Sequence, residues 1–178
     1  MIKTVFAGFG GQGVLLMGYV MAYSAMLEGK HVTYLPSYGA EMRGGTANCV
    51  VSVSDEEIAS PVASSPDVAV IMNNPSLEKF QNQIQSGGII YVNSDLINFR
   101  PIRGDIILYE VTANTLALEV GNDRAANMVM LGAFLKKTPL VKLETAQEVV
   151  GKVFADKPEV IELNREALLA GYQSIGGE

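Results

Sequence analysis

Short apolar runs alternate along the chain with segments whose apolar residues recur at helical spacing. Ile2–Ala7 is a β-branched and aromatic run that ends in glycine, which predicts a first strand. Val14–Leu27 has apolar residues on nearly every face and is followed by Gly29, which predicts a helix buried in a core or an interface. His31–Leu35 predicts a second strand, which we expect Pro36 to stop.

The segment Pro36–Gly45 has three glycines and no apolar period, so we expect a loop. Thr46–Ser54 is strongly strand-like, with Cys49 and Val51 on one apolar face. A parallel return to the sheet would need a crossover of about a dozen residues or more. Because the loop is ten residues long, we expect this third strand to run antiparallel to the second.

Predicted strands and helices continue to alternate in the rest of the chain. Buried strands are predicted at Asp67–Met72, Ile89–Val92 and Ile106–Val111. Helices are predicted at Pro75–Ser86, Thr115–Val120, Arg124–Lys136, Glu144–Phe154 and from about Pro158 to Gly176 and Gly177. The alternation indicates an α/β fold in a single domain over residues 1–178. We expect a three-layer α/β/α sandwich with a mostly parallel sheet that contains at least one antiparallel strand.

Composition excludes several classes of function. Acidic residues outnumber basic residues by 19 to 13, giving a net charge of −6, and basic residues form no run, which argues against a nucleic acid partner. Apolar runs are too short for a membrane span, and the opening residues predict a strand, not a signal peptide. Because Cys49 is the single cysteine, this chain alone can form no disulfide and cannot hold an iron–sulfur cluster by four thiolates. We expect a reduced, cytoplasmic globular protein.

Charged residues make up only 18% of the chain, against about 25% in an average domain. Counted with glycine and without tyrosine, apolar residues make up about 54%, against about 45–50%. The nonpolar surplus suggests that partner subunits cover part of the surface.

The segment Gly8–Gly13 (GFGGQG) fits the pattern G-x-G-x-x-G between a predicted strand and a predicted helix. Glycine allows a sharp turn, and backbone N–H groups at a helix start attract an anion. A dinucleotide site also needs an acidic residue about 20 positions further on, at the end of the second strand. That position offers Leu35, Pro36 and Ser37, while Glu28 lies on the preceding helix. Two interpretations stay open: a tight turn without a nucleotide, and a stand-alone NAD(P)- or nucleotide-binding oxidoreductase.

The next loop concentrates reactive side chains and glycines: Ser37, Tyr38, Gly39, Glu41, Arg43, Gly44 and Gly45. Arginine suits bidentate capture of phosphate or carboxylate, and glycines let a ligand approach the backbone closely. A surface ion pair between Glu41 and Arg43 is the alternative. In a chain with so few charges we favour the binding role.

Both loops together resemble a known family. The segments GFGGQGV and SYGAEMRGGTANCVVSVSDEEIASP, in this order and at this spacing, are similar to the gamma subunit of 2-oxoacid:ferredoxin (acceptor) oxidoreductases. The resemblance extends to the closing segment ELNREALLAGY, and AEMRGGTANC is most similar to 2-oxoglutarate or branched-chain 2-oxoacid members, with pyruvate members less similar.

This resemblance implies one subunit of an enzyme that decarboxylates a 2-oxoacid, 2-oxoglutarate in the first place, to an acyl-CoA, CO2 and reduced ferredoxin or another acceptor. It implies thiamine diphosphate, Mg, Fe–S clusters and coenzyme A (CoA) in the assembled complex, and none bound by this chain alone. The implied partners are alpha and beta subunits, in some enzymes with a delta, ferredoxin-like subunit. The isolated chain is expected to be inactive, with a docking role and no catalytic or metal-binding residue.

Nine positions of this chain match the family's two loops and are expected to contact CoA or another subunit. They are Gly10, Gly11, Gln12, Gly13, Tyr38, Glu41, Arg43, Gly44 and Gly45.

Other conspicuous residues predict structural roles. His31 begins a strand with no nucleophile beside it, and Cys49 lies among apolar residues as an inert buried thiol. Asp55–Glu57 indicates a solvated turn, and Asn73–Pro75 is either a ligand site at a strand end or a helix N-cap. Five methionines on predicted helices indicate core packing, or a subunit interface as the alternative: Met17, Met21, Met26, Met128 and Met130.

Overall fold

A computed structural model describes residues 1–37, 46–60 and 65–176. The strands are β1 (Ile2–Phe9), β2 (His31–Ser37), β3 (Thr46–Ser54), β4 (Val68–Ile71), β5 (Ile89–Asn93) and β6 (Ile107–Val111). The helices are α1 (Val14–Leu27), α2 (Asn74–Phe80), α3 (Ala113–Glu119), α4 (Ala126–Lys137), α5 (Leu143–Val153) and α6 (Ile161–Ser174), with a 3-10 turn at Pro158–Val160.

All six strands form one mixed sheet in the order β2-β3-β1-β4-β5-β6. Strands β1, β4, β5 and β6 are parallel neighbours, whereas β3 runs antiparallel to both β2 and β1. The expected antiparallel third strand is therefore confirmed. Strand β2 continues past Pro36 to Ser37, two residues further than expected. Because β2 is an edge strand, the missing N–H of proline costs the sheet no bond on its outer side.

Helices cover the two faces of the sheet unequally. On one face α1, α3, α4, α5 and α6 enclose the larger core, where Phe134 of α4 packs edge-on against Phe6 and Tyr91 with ring centroids 5.7 Å apart. On the other face Leu77 and Phe80 of α2 cover the central strands. The three-layer α/β sandwich is confirmed, with one layer much thinner than the other.

Helices α4 and α6 approach each other closely because both carry glycine at the contact. A Cβ atom on Gly132 would lie 1.9 Å from the carbonyl oxygen of Leu168, and one on Gly171 would lie 1.8 Å from that of Val129. Each distance is far below van der Waals contact, so the two helix backbones touch without a layer of side chains between them.

Helix α2 is shorter than predicted, since it ends at Phe80 and not at Ser86. The guanidinium of Arg103 donates hydrogen bonds to the carbonyl oxygens of Gln81 and Ile84. In a longer helix the Gln81 oxygen would accept its bond from within the helix. The hydrogen bond from Arg103 therefore takes the place of the backbone hydrogen bond that would continue α2 beyond Gln81.

Strand β6 is also less buried than predicted. It lies at the edge of the sheet, and the side chain of Ile107 is 48% exposed. No helix in the described part of the chain is long and apolar enough to cross a membrane.

Candidate ligand-binding site at the glycine loop

The glycine loop lies where the chain switches from one face of the sheet to the other. After β1 the chain continues into α1, which packs on the face of the larger core. After the neighbouring strand β4 it continues into α2, on the opposite face. When the connections after two adjacent parallel strands go to opposite faces of the sheet, they leave a crevice at the carboxyl ends of the strands. Open α/β sheets bind ligands in this crevice.

Two glycines give this loop its shape. Gly11 has φ +95° and Gly13 has φ +72°, a left-handed conformation that other residues rarely adopt. The carbonyl oxygen of Gly13 accepts the first hydrogen bond of α1 from Met17 (2.9 Å). A turn of this kind points the free N–H groups of the first helical turn towards the crevice. The sharp turn expected from the motif is therefore confirmed, while contact of Gly10–Gly13 with a ligand stays a prediction.

Gln12 holds the loop in place. Its side-chain oxygen accepts hydrogen bonds from the N–H of Phe9 (2.6 Å) and from the amide of Asn73 (3.4 Å). Its side-chain nitrogen donates to the carbonyl oxygen of Met72 (3.3 Å). The amide thereby ties β1 to the end of β4, so Gln12 supports the loop even though it also borders the crevice. Asn73 is the N-cap of α2 and accepts from Ser76 N (2.9 Å), in agreement with the N-cap interpretation.

A residue far along the chain fixes the other side of the loop. Asn127, in the first turn of α4 and only 5% exposed, donates a hydrogen bond to the carbonyl oxygen of Gly13 (3.2 Å). This bond connects residues 114 positions apart. The starts of α1 and α4 therefore lie side by side at the crevice. No described side chain caps α1, whereas in α4 the side-chain oxygen of Asn127 accepts a hydrogen bond from the N–H of Met128 (3.0 Å).

Two clefts open on either side of Gly11. The first, the strand cleft, has a volume of about 420 Å³ and includes Gly11, Met72, Leu96, Asn114, Asp123 and Arg124. The second, the helix cleft, has a volume of about 270 Å³ and includes Gly11, Asn122, Arg124, Asn127, Lys157 and Asn164. Gly11 and Arg124 line both clefts, which are therefore neighbours.

Two cations at these clefts are available to a ligand. Arg124 and Lys157 are exposed, and neither forms an ion pair with a described residue. Among the described residues no acidic side chain lines the helix cleft. With two helix N-termini beside them, these cations make the glycine loop a favourable place for an anion, despite the net charge of −6.

The five predicted site residues of the second loop, Tyr38, Glu41, Arg43, Gly44 and Gly45, lie outside the described residues. Ser37, the last described residue before them, pairs with Asn48 of β3, and Thr46, the first described residue after them, pairs with Phe9 of β1. Both therefore lie near the carboxyl end of β1.

At the end of β2, where a dinucleotide site would need a carboxylate, stand Leu35, Pro36 and Ser37. The structure therefore offers no ribose-binding acid at this position.

The structure also places the other conspicuous residues of the sequence. Burial raises the pKa of the Cys49 thiol to about 12, so the thiol stays protonated and inert. His31 is exposed at the opposite edge of the sheet, and Asp55 lies in an exposed turn where it pairs with Lys30 (3.6 Å). Of the five methionines four are buried, whereas Met26 is 57% exposed. Among the described residues no group of three His, Cys, Asp or Glu side chains could hold a metal ion.

Sequence reasoning missed Asn127, Arg124 and Lys157 as site residues. Asn127 reaches the loop only because α4 packs beside α1, which no local pattern reveals. Arg124 and Lys157 did carry a signal, because neither has an acidic residue three or four positions away, the spacing at which helical ion pairs form. An unpaired cation in a chain with few charges is a candidate for ligand binding.

Comparison with known proteins gives a consistent result. Residues 3–174 match the family model described as pyruvate ferredoxin/flavodoxin oxidoreductase. The ketoisovalerate oxidoreductase subunit VorA of Methanothermobacter thermautotrophicus is 41% identical over 174 residues, 97% of this chain. The chain spans 36% of the length of that relative.

Solved structures show the same fold. The gamma subunit of a keto/oxoacid ferredoxin oxidoreductase from Geobacter sulfurreducens PCA superimposes with a TM-score of 0.83 and 32% identity, covering 98% of both chains. The 2-oxoglutarate:ferredoxin oxidoreductase of Magnetococcus marinus, solved with 2-oxoglutarate, coenzyme A and succinyl-CoA bound, gives a TM-score of 0.87 and 27% identity, covering 97% of this chain and 30% of that one.

Proposed function

This chain belongs to the pyruvate ferredoxin/flavodoxin oxidoreductase family, and we propose that it is the gamma-type subunit of a multi-subunit 2-oxoacid:ferredoxin oxidoreductase. The enzyme would convert a 2-oxoacid and CoA to an acyl-CoA and CO2 and pass the electrons to ferredoxin or another acceptor. Its location would be the cytoplasm, where thiols are reduced.

The observation that carries this proposal is the pair of clefts at the glycine loop. CoA is an elongated anion, and its phosphates fit a site with two cations, Arg124 and Lys157, that have no ion-pair partner among the described residues and lie beside the starts of α1 and α4. In this enzyme class the CoA thiol receives the acyl group. The part of this chain would be to hold and orient CoA, while its outer surface docks on the catalytic subunits.

Thiamine diphosphate, Mg and the Fe–S clusters would belong to alpha, beta and delta-type partner subunits. A [4Fe–4S] cluster takes four thiolates, and this chain has Cys49 alone, buried and hydrogen-bonded to the carbonyl oxygen of Val14 (3.6 Å). Because the donor set does not fit such a cluster, we assign electron transfer to the partners.

The complex carrying this chain tests the proposal. A tagged copy of the chain, purified from its native cells, should bring down a complex that reduces ferredoxin or a viologen dye only when a 2-oxoacid and CoA are both present. The chain alone should be inactive. A monomer without partners that binds NAD tightly would contradict the proposal and favour a stand-alone dehydrogenase.

Substrate choice is a second result of the same assay. We propose 2-oxoglutarate, the substrate bound in the Magnetococcus marinus enzyme, and ketoisovalerate is the competing substrate because of the 41% identity to VorA. The ratio of kcat/KM for the two acids, with pyruvate as a third, decides between them.

Arg124 provides a test of the site itself. Replacing it with alanine should raise the KM for CoA about tenfold, because a charge-assisted hydrogen bond contributes roughly 1.5–3 kcal/mol. The KM for the 2-oxoacid should stay the same. Arg100→Ala is the matched control, since Arg100 is exposed, pairs with Glu110 (2.8 Å) and lines neither cleft. Equal KM values for CoA in both variants would show that Arg124 does not contribute to CoA binding.

Arg43 provides a test of the proposed role of the second loop. Replacing Arg43 with alanine is expected to raise the CoA requirement of the assembled enzyme. Unchanged kinetics, or a complex that no longer assembles, would instead indicate a purely structural loop.

A further inference from the structure

Helix α1 and strand β2 form an apolar surface at one edge of the sheet, far from any charged cleft. One shallow groove of about 440 Å³, which we call the aromatic face, is lined by Tyr19, Tyr23, Met26, Val32 and Tyr34. Tyr19 is 46% exposed and Met26 is 57% exposed. Tyrosine and methionine are enriched in protein–protein interfaces. The aromatic face therefore has the composition of a surface that another chain covers.

The aromatic face carries no charge, and the lysines beside it are paired. All of α1 and the last six residues of β2 contain no charged side chain. Lys152, which lies 5.9 Å from the ring of Tyr23, pairs with Glu148 (2.8 Å). Lys30, just before β2, pairs with Asp55 (3.6 Å). Two copies of this surface can therefore meet without repulsion between unpaired charges, although each chain has a net charge of −6.

Strand β2 adds a backbone edge to the aromatic face. It is the outermost strand of the sheet, and no described strand pairs with its outer side. An open strand edge is a template for pairing with another chain, and identical chains associate most often about a two-fold axis. A two-fold axis perpendicular to the sheet makes the two β2 strands antiparallel. It also places α1 of both copies on the same side of the joined sheet.

The spacing of strands and helices fits this arrangement. Helix α1 lies over β3, because Gly18 comes so close to Cys49 that a Cβ atom there would collide with its Sγ atom. Three strand spacings, or roughly 14 Å, would then separate the two α1 helices. Packed helices usually lie about 8–10 Å apart, so this wider spacing needs large side chains between them. Tyr19, Tyr23 and Met26 of both copies supply these side chains.

We infer that the aromatic face and the outer edge of β2 join two copies of this chain into a symmetric dimer, in which their six-stranded sheets form one continuous sheet. Pro36 limits the overlap of the strands, since proline has no N–H to donate. A register centred on Thr33 pairs His31 with Leu35 of the second copy and leaves Pro36 outside the pairing. The dimer is independent of the ligand that the glycine loop binds.

Cysteine crosslinking tests the register. His31 and Leu35 are exposed, whereas the native Cys49 is buried and inert. Opposite residues of antiparallel strands have Cβ atoms about 4.5–5.5 Å apart, close to the distance in a disulfide. Co-expressed His31→Cys and Leu35→Cys chains should therefore form a crosslinked dimer of the two variants on oxidation. Each variant alone is the control and should stay uncrosslinked, because its two cysteines would lie about 14 Å apart.

Tyr19→Asp tests the aromatic face. The 178-residue chain should sediment as a dimer, and Tyr19→Asp should raise the dissociation constant at least about tenfold by bringing two carboxylates together. Met26→Asp, at a more exposed position, should act in the same direction if Tyr19→Asp does not fold. Leu118→Asp is the matched control, since Leu118 is 69% exposed on α3 and does not line the aromatic face.

Each outcome supports or overturns the dimer. A wild-type chain that is monomeric alone and uncrosslinked in the enzyme complex would overturn it. Crosslinking of His31→Cys or Leu35→Cys alone would show that the register is wrong. If Tyr19→Asp released a catalytic subunit from the complex while two copies of this chain were never linked, that subunit would cover the aromatic face and the inference would fail. None of these results depends on CoA, so the proposed function is tested separately.

Discussion

Polar groups lie at both ends of the parallel strands, but they have opposite roles there. We call the side of the sheet where these strands begin the amino edge, and the side where they end the carboxyl edge. At the amino edge Asp67 accepts hydrogen bonds from the N–H of Lys3 (2.7 Å) and from the side chain of Gln85. Nearby, Arg103 pairs with Asp105 (2.6 Å) and donates to two backbone carbonyls. At the carboxyl edge Arg124 has no described ion-pair partner and stands beside open space.

This contrast separates polar groups that hold the fold from those free to bind. A buried or half-buried charge that is fully paired stabilises the protein and has nothing left to offer a ligand. A cation that remains unpaired beside helix N-termini gains a partner only when an anion arrives. Substitutions at the amino edge should therefore change stability, and those at the carboxyl edge should change binding.

The largest effect is expected at Gly13, because the shape of the glycine loop depends on the backbone conformation of this residue. Alanine there must adopt φ +72° and would place its Cβ 2.4 Å from the side-chain nitrogen of Asn127. We expect Gly13→Ala to lower the free energy of unfolding by about 2 kcal/mol and to raise the KM for CoA. Urea denaturation and steady-state kinetics measure the two effects. Gly176→Ala, at an exposed glycine without a close contact, should change neither.

At the amino edge, Asp67→Ala should lower the free energy of unfolding by about 1.5 kcal/mol, because the partly buried N–H of Lys3 loses its acceptor. The KM for CoA should not change. Asp67→Asn keeps an acceptor for that N–H and should cost less. If Asp67→Ala weakened CoA binding as strongly as it weakened the fold, the proposed separation between the two edges would be wrong.

Gln12 lies between the two cases, because it supports the fold from within the carboxyl edge. Gln12→Ala removes the three hydrogen bonds that close the glycine loop and should cost about 1 kcal/mol of stability. A looser loop should also raise the KM for CoA by a few fold. A variant with normal affinity would show that the loop keeps its shape without this amide.

The smallest effect is expected from acid. The Arg103 guanidinium, which donates to Asp105, lowers the pKa of that carboxyl from 3.8 to about 2. The folded protein thus holds the ionised form more strongly than the unfolded chain does, so the pair stabilises the fold above about pH 4 and loses this contribution as the pH falls towards 2. When the pH is lowered from about 6 to about 2, the melting temperature of the wild type should fall by more than that of Asp105→Asn. Parallel curves would show that the pair adds no stability.

The sequence predicted the fold where local pattern decides it. Helix α1 and strand β3 begin and end at the predicted residues, because their apolar runs are continuous and are bounded by glycine or by polar turns. Helix α2 and strand β6 differ from prediction because contacts from elsewhere in the chain decide them. Arg103 bonds the Gln81 carbonyl, which would otherwise extend α2, and β6 has a described neighbour on only one side.

The candidate site was predictable only in part. Motif spacing identified the turn at Gly11 and Gly13, since positive φ angles require glycine at such positions. It could not reveal that Gln12 supports the loop, because Met72 and Asn73 reach it through the pairing of β1 with β4. Nor could it reveal Asn127, which belongs to a helix more than a hundred residues away.

The glycine contact between α4 and α6 has a consequence for the helix cleft. Asn127 on α4 and Asn164 on α6 both line that cleft, so the two helices that meet at these glycines also contribute to its lining. At Gly132 and Gly171 an added Cβ atom would meet the backbone of the facing helix, so these two glycines permit the close spacing of α4 and α6. A single methyl group at either position would push the two helices apart and would therefore displace residues that line the cleft, although neither glycine lines it itself.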